Sequence, residues 1–284
     1  MDRSSKPQNN SYALICIGDR PLDHQALSFA ESISRALMLD PVLLHVSPPE
    51  ADPQHAEQLL AAACEALEWE TVECRTAEGS AKIEILRELD SRPYQLLILG
   101  TSERESHLPV SPLSRDLAVR ANTSVLLVRN PPEKIRQFLI CTGGHTASFA
   151  PITWGIRLAQ ATDAHVTFLH VVSSAPAMYT GLPALDEGLS EVLARDHPLA
   201  HHLKKIANMA EAASVEANLE FRHGMVIEEI LRSCEVETHD LVVIGAPQSR
   251  ARIDTLLLGR IAPKLLASSN LSTVIVRDNH GEKK

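Results

Sequence analysis

The chain has 284 residues, 44% of them hydrophobic and 22% charged, with a formal net charge of −9 at pH 7. That length suits about two domains of ordinary size. No apolar run approaches the roughly 20 residues that a membrane-spanning helix needs, and an acidic chain offers no basic surface to displace counterions from nucleic acid. The acidity sits mostly in residues 1–132, which carry twelve basic and nineteen acidic side chains against fifteen and seventeen in the remainder. The first eleven residues are polar and lack the apolar stretch of a secretory signal. Five cysteines without close CxxC spacing argue against a disulfide framework or a zinc site. A cytoplasmic protein is expected.

In chain order, β-branched and leucine-rich runs alternate with segments of helical periodicity. The pattern predicts strands at 12–17, 41–46, 71–76, 94–100 and 124–128, with helices at 22–38, 54–68, 81–90 and 112–121 between them. Ser80 is placed to cap its helix. Asn130-Pro131-Pro132 interrupts the pattern as a linker. The alternation then restarts, with strands at 138–142, 164–172, 216–221, 240–245 and 272–276 and helices at 147–161, 200–216, 226–237 and 255–267. Leu96-Leu97-Ile98-Leu99 and Leu241-Val242-Val243-Ile244 are apolar on both faces, as strands of a parallel sheet buried under helices require. Residues 173–197, with Pro176, Gly181, Pro183 and Gly188, form an insertion that is either a lid or an interaction element.

The two halves repeat one another. Ile15-Cys16 and Leu44-His45-Val46 recur 125 residues later as Ile140-Cys141 and Leu169-His170-Val171. Gly79, Glu84-Ile85-Leu86 and Gly100 recur at an interval of 145 as Gly224, Glu229-Ile230-Leu231 and Gly245. Val125-Leu126-Leu127-Val128 is answered at 148 by Thr273-Val274-Ile275-Val276. A growing interval means one ancestral unit, duplicated, with insertions in the second copy. The expected fold class is therefore α/β: two tandem doubly wound, Rossmann-like units, each a parallel five-stranded sheet.

Together these features resemble the universal stress protein family in a tandem two-domain form, with domains at 11–130 and 136–278. The resemblance rests on the first strand ending in Gly18 or Gly143-Gly144 and on Leu-His-Val closing the second. It rests equally on the Gly-x4-Glu-Ile-Leu helix start and on the closing Asn122 to Val125 and Asn270 to Val274 segments. It implies strand order 3-2-1-4-5 and two helices on each face. Fifth strands in similar proteins pair across a two-fold axis. The resemblance thus implies an intramolecular pseudo-dimer joining 125–128 to 274–276, with a homodimer of the whole chain left open.

ATP-binding members of that family carry a loop of the form G-x2-G-x9-G-[S/T] after the fourth strand. Such a loop lets backbone N–H groups and a helix N-terminus approach the phosphates. The second copy keeps Gly245-Ala246 and Gly259, but Gln248 replaces the middle glycine, Arg260 replaces the hydroxyl residue, and the spacing is one residue too long. The first copy departs further, with Ser111-Pro112 at the loop's end and Glu103, Glu105 and Asp116 adding negative charge. An aspartate that ATP-binding relatives place at the end of the first strand corresponds here to Gly18 and Gly143, so that contact is expected to be missing.

A nucleotide site, if retained, is expected in the second copy, with Thr142, Gly143, Gly144, His145, Val171, Gly245, Ala246, Gln248, Arg250, Arg252, Gly259 and Arg260 as binding residues and ATP or AMP as ligand. Arg250, Arg252 and Arg260 either grip an anion or are solvated surface arginines. Gly143-Gly144-His145-Thr146 either admits a phosphate or ribose where strand order reverses or is only a strand-to-helix turn with Thr146 as N-cap. His45 and His170 at matching strand ends read as packing residues. His197, His201 and His202 have spacing that could face a metal, but no third ligand accompanies them and Pro198 reads as a helix start, so no metal is expected. No nucleophile–base set can be assembled, so no enzymatic activity is expected. Two functions stay open: a non-enzymatic stress-response module sensing an adenine nucleotide or phosphate in the second copy, and a scaffold for protein partners that has lost ATP binding in both.

Overall fold

A computed structural model describes residues 11–19, 23–100, 110–144, 149–172, 188–236, 238–246 and 255–278, with the backbone alone at 255–260. The described residues divide into two compact units, one formed by those up to 100 together with 112–133, the other by 110–111 together with those from 134 onward. In the first unit β1 (Tyr12–Ile17) leads through α1 (His24–Ala36) to β2 (Asp40–Ser47), then through α2 (Pro53–Ala66) to β3 (Glu73–Glu78). The chain returns through α3 (Ala81–Ser91) to β4 (Tyr94–Gly100) and through α4 (Pro112–Arg120) to β5 (Ser124–Val128). The strands lie in the order β3-β2-β1-β4-β5 and every pairing is parallel.

The second unit repeats this path. It runs β6 (Gln137–Thr142), α5 (Ala150–Thr162), β7 (His165–Val172), α6 (Leu189–Ala194), α7 (Pro198–Ala212), β8 (Ala217–His223), α8 (Val226–Val236), β9 (Leu241–Gly245), α9 (Thr255–Ser268) and β10 (Ser272–Val276). Its order, β8-β7-β6-β9-β10, is again the expected 3-2-1-4-5 with all pairs parallel. The repeat extends to the register. Ile17 lies opposite His45 as Thr142 lies opposite His170. Ala13 pairs with Leu96 as Phe138 pairs with Leu241, and Gly100 with Val128 as Gly245 with Val276.

Parallel strands need a crossover at each step, and right-handed crossovers place the helices by the direction of travel across the sheet. Accordingly α1 packs beside α2 and α3 beside α4, while α5 neighbours α7 and α8 neighbours α9. The central strands are thereby covered on both faces: Leu96, Leu97, Leu241, Val242 and Val243 are fully buried. Helix starts are fixed by short polar side chains. Asp23 accepts from the Ala26 N–H at 3.0 Å and Asp52 from Gln54 N–H at 2.9 Å. Ser80 sits at the N-cap of α3 as expected, yet its side chain makes no capping bond.

Three expectations are adjusted. β3 lies two residues later than its composition suggested, because its pairing with β2, from Val42↔Glu73 to Ser47↔Glu78, sets its limits. The insertion is not wholly irregular: residues 188–197 contain α6, which packs on α7, while 173–187 lie outside the described residues. A disulfide was not expected, yet Cys64 on α2 and Cys74 on β3 are brought together as a bonded pair. Helix packing against the edge of the sheet made that pairing, and linear spacing gave no sign of it.

The repeated Gly-x4-Glu motif has a physical cause. Gly79 and Gly224 have φ of +128° and +150°, and each donates its N–H to the end of the neighbouring strand, to Ser47 O of β2 at 2.9 Å and Val172 O of β7 at 3.1 Å. Without a Cβ at this turn, the glutamate of the following helix folds back over the glycine. A methyl group at Gly224 would stand 3.1 Å from the Glu229 side chain, whereas at Gly79 it would stand 3.7 Å from Glu84. Gly224→Ala is therefore expected to lower unfolding free energy by about 1–3 kcal/mol. Gly79→Ala, which adds backbone strain with less crowding, should cost less. Urea unfolding followed by circular dichroism reads both.

Candidate functional site

In a doubly wound sheet the crevice for ligands opens at the C-terminal ends of the strands between which the order reverses. Here these are β1 and β4 in the first unit and β6 and β9 in the second. The second unit's crevice begins at Thr142, the buried last residue of β6. Its backbone carbonyl accepts a hydrogen bond from His170 Nδ1, on β7, at 3.1 Å. Since a carbonyl only accepts, Nδ1 must carry the proton, and in the neutral ring Nε2 is left as an acceptor. The His170 ring stacks near Phe221 of β8 at 5.8 Å, and burial lowers its pKa from the ordinary 6.5.

The Thr142 hydroxyl is hydrogen-bonded to His202 Nε2 at 2.8 Å and accepts from the Gly144 N–H at 3.4 Å. His202 lies on the buried face of α7 with Ala200, Leu203, Ile206 and Ala210. Phe149 packs on its ring at 4.7 Å, and Lys205 Nζ lies 4.2 Å from the Phe149 centroid. Gly144, with φ +84°, presses its backbone against the His170 ring: a Cβ there would lie 3.1 Å from Cε1. On the other side of the reversal point, Pro151 of α5 packs over Gly245, and the Ala246 N–H donates to Val276 O at 2.8 Å.

The structure thus brings Thr142 and Gly144 together with Val171's neighbour His170, leaves Gly143 exposed, and places Gly245 and Ala246 at the end of β9. His145, Gln248, Arg250 and Arg252 lie outside the described residues, as does Thr146. Gly259 and Arg260 belong to α9, where only the backbone is described. His202, considered from sequence only as a metal ligand, instead partners Thr142. Its place on the apolar stripe of an amphipathic helix was the signal that it would be buried. The three neighbouring histidines diverge. His197 caps α7 through Leu199 N–H at 3.3 Å, and His201 meets Asp196 at 2.8 Å. Among the described residues no group of three or more His, Cys, Asp or Glu could hold a metal ion.

The first unit preserves one half of this arrangement. His45 Nδ1 donates to Ile17 O at 2.9 Å, the counterpart of the His170–Thr142 bond, and the ring is 1% exposed. Both histidines are accordingly packed residues. Ile17 stands where Thr142 offers a hydroxyl. The expectation that this crevice lacks an aspartate is corrected: Asp19 follows Gly18, and its Oδ1 lies 3.4 Å from His45 Nε2. Matching to the residue in line with the strand end missed a carboxylate one position further on, where the chain has begun to turn.

Two outcomes follow for the second unit. Thr142→Val removes the hydroxyl from His202 and should cost about 1–3 kcal/mol by chemical denaturation. The lowered pKa of His170, and that of His239, which burial lowers as well, make stability sensitive to acid. The unfolded chain takes up protons near pH 6.5 while the folded rings resist them. The stability contributed is thus fully present above that pH and is lost as pH falls below it toward the folded pKa. His170→Asn, which keeps a donor for Thr142 O but cannot titrate, should flatten the fall in melting temperature between pH 7 and 5. A slope equal to wild type would contradict this assignment.

Among the described residues no helix is long and apolar enough to cross a membrane. A model of the universal stress protein family matches residues 134–277. A search of curated proteins returns no match. Among solved structures, a protein from Pseudomonas aeruginosa UCBPP-PA14 assigned to the universal stress proteins is 17% identical, with TM-score 0.69, covering 94% of this chain and 93% of its own. A protein of unknown function from Pseudomonas aeruginosa PAO1 is 16% identical with TM-score 0.68, covering 95% and 93%. A universal stress protein from Archaeoglobus fulgidus DSM 4304 is 12% identical with TM-score 0.65, covering 95% and 99%. At these identities the solved structures speak for the fold, and they do so across both units. The family match over the second unit and a fold shared over nearly the whole length lead to one conclusion: the chain belongs to the universal stress protein family, in tandem two-domain form.

Proposed function

We propose that this protein is a non-catalytic member of its family whose second unit binds an adenine nucleotide or another phosphate weakly. The observation that carries the reading is the convergence of Thr142, Gly144, His170 and His202 at the strand-order reversal. A hydroxyl, a backbone open to close approach and two imidazoles meet where doubly wound sheets receive ligands. The first unit, with Ile17 at the equivalent place, offers no hydroxyl there. Arg260, from the helix that follows the β9 loop, is assigned with Arg250 and Arg252 as the anion contact, on sequence grounds.

Weak binding follows from competition. The Thr142 carbonyl and hydroxyl already have partners, and the Ala246 N–H is committed to Val276. A ligand must exchange these bonds for its own, so the net gain is small. The same observation favours a second reading, in which the crevice is internally satisfied and the protein acts as a scaffold for protein partners.

A thermal-shift panel of ATP, ADP, AMP and cyclic AMP separates the two. Saturation at about 100 times Kd contributes about 2.7 kcal/mol, which for units of this size raises the melting midpoint by roughly 5–10 °C. A shift at millimolar ligand that is lost in Arg260→Ala and reduced in Thr142→Val is the expected result. No shift with any of the four would leave the scaffold reading in place of nucleotide sensing.

A further inference from the structure

The five cysteines fall into two chemical classes. Cys16, Cys141 and Cys234 are free. Burial pushes the Cys16 and Cys234 thiols up to about 12 and that of Cys141 upward as well, so at neutral pH they stay protonated and unreactive. Cys64 and Cys74 differ in being paired, and Cys74 differs in access as well. Cys64 is half-buried on the last turns of α2, and Cys74 is exposed on β3, the outermost strand of its unit's sheet. Their sulfurs are in bonding contact while their Cα atoms stand 7.9 Å apart. The bond ties the last turns of α2 to β3, and opening it removes that tie.

We propose that Cys64 and Cys74 are a reversible thiol–disulfide site of the first unit, oxidised by hydrogen peroxide. The exposed Cys74 sulfur, as thiolate, attacks the peroxide. An S–O bond forms, the O–O bond breaks, and water leaves after protonation, giving a sulfenic acid. The Cys64 thiol then attacks that sulfur, the S–S bond forms, and the hydroxyl departs as a second water. Two thiols thus lose two hydrogens and one peroxide becomes two waters. A dithiol reductant reverses the bond by exchange. Exposure on an edge strand is the mark of a labile bridge rather than a permanent one.

The surroundings give the bond something to move. The connection from α2 to β3 is tied back to α1: Glu31 accepts from the Glu68 N–H at 3.1 Å, Arg35 donates to the Glu68 carbonyl, and the Arg35 guanidinium lies 4.4 Å from the Trp69 ring centroid. β3 is held from its other side by Arg75–Glu88 and Arg92–Glu73 pairs, each at 2.7 Å. Opening or closing the bond acts between these anchors, next to an indole that reports it.

The test uses the full chain, reduced and then treated with hydrogen peroxide. The expected result is an intact mass lower by two hydrogens, protection of Cys64 and Cys74 from maleimide, and recovery of both by dithiothreitol under native conditions. In Trp154→Phe, Trp69 emission should change with oxidation and return on reduction. Cys74→Ser should abolish the mass change while Cys16→Ser keeps it. The proposal is overturned if both cysteines stay alkylatable after peroxide, if Cys74 gains oxygen without bridging, if the bond links two chains, or if it resists dithiothreitol until the protein is denatured.

Discussion

A parallel sheet cannot close its turns by short hairpins, and this constraint governs everything else in the molecule. Each strand must be followed by a crossover, each crossover in this fold carries a helix, and right-handedness fixes the face it covers. A chain that first moves outward from β1 to β3 and then returns to build β4 and β5 must reverse beside its first strand. The reversal leaves the C-terminal ends of β1 and β4, or of β6 and β9, without a helix between them. The crevice is thus a consequence of topology before any side chain is chosen for it.

What the two units have done with that crevice differs by few residues. Both tie the end of the second strand to the end of the first through an imidazole Nδ1–H, His45 to Ile17 and His170 to Thr142. Around this common bond the first unit sets an aliphatic residue and a solvent-facing Asp19. The second sets a hydroxyl that meets His202 from α7. α7 is the counterpart of α2, each helix beginning at a proline, Pro53 or Pro198, so the polar group comes from the residue placed on that helix.

The repeated glycine–glutamate turn and the disulfide pair show two ways in which edge elements are secured. At Gly79 and Gly224 the backbone takes a conformation that a side chain would resist, and the glutamate of the following helix closes over it. The α2–β3 edge of the first unit is secured covalently as well as by ion pairs, in the more acidic half of the chain, where Glu73 and Glu88 are each matched by arginine.

The sequence alone determined the duplication and the order of elements, because parallel strands buried on both faces leave a strong apolar signature and the intervals of 125, 145 and 148 locate the insertions; the strand order was legible only through the family resemblance. It also marked Thr142 and Gly144, since strand ends followed by glycine are legible locally. Only tertiary structure decided that His202 would partner Thr142, 60 positions away, that Asp19 would face His45, that β3 would begin at Glu73, and that Cys64 would meet Cys74. Each of these depends on how a helix or a neighbouring strand is set against the sheet. Hydrophobic periodicity says which face of an element is buried, but the particular atoms that meet there are chosen by packing.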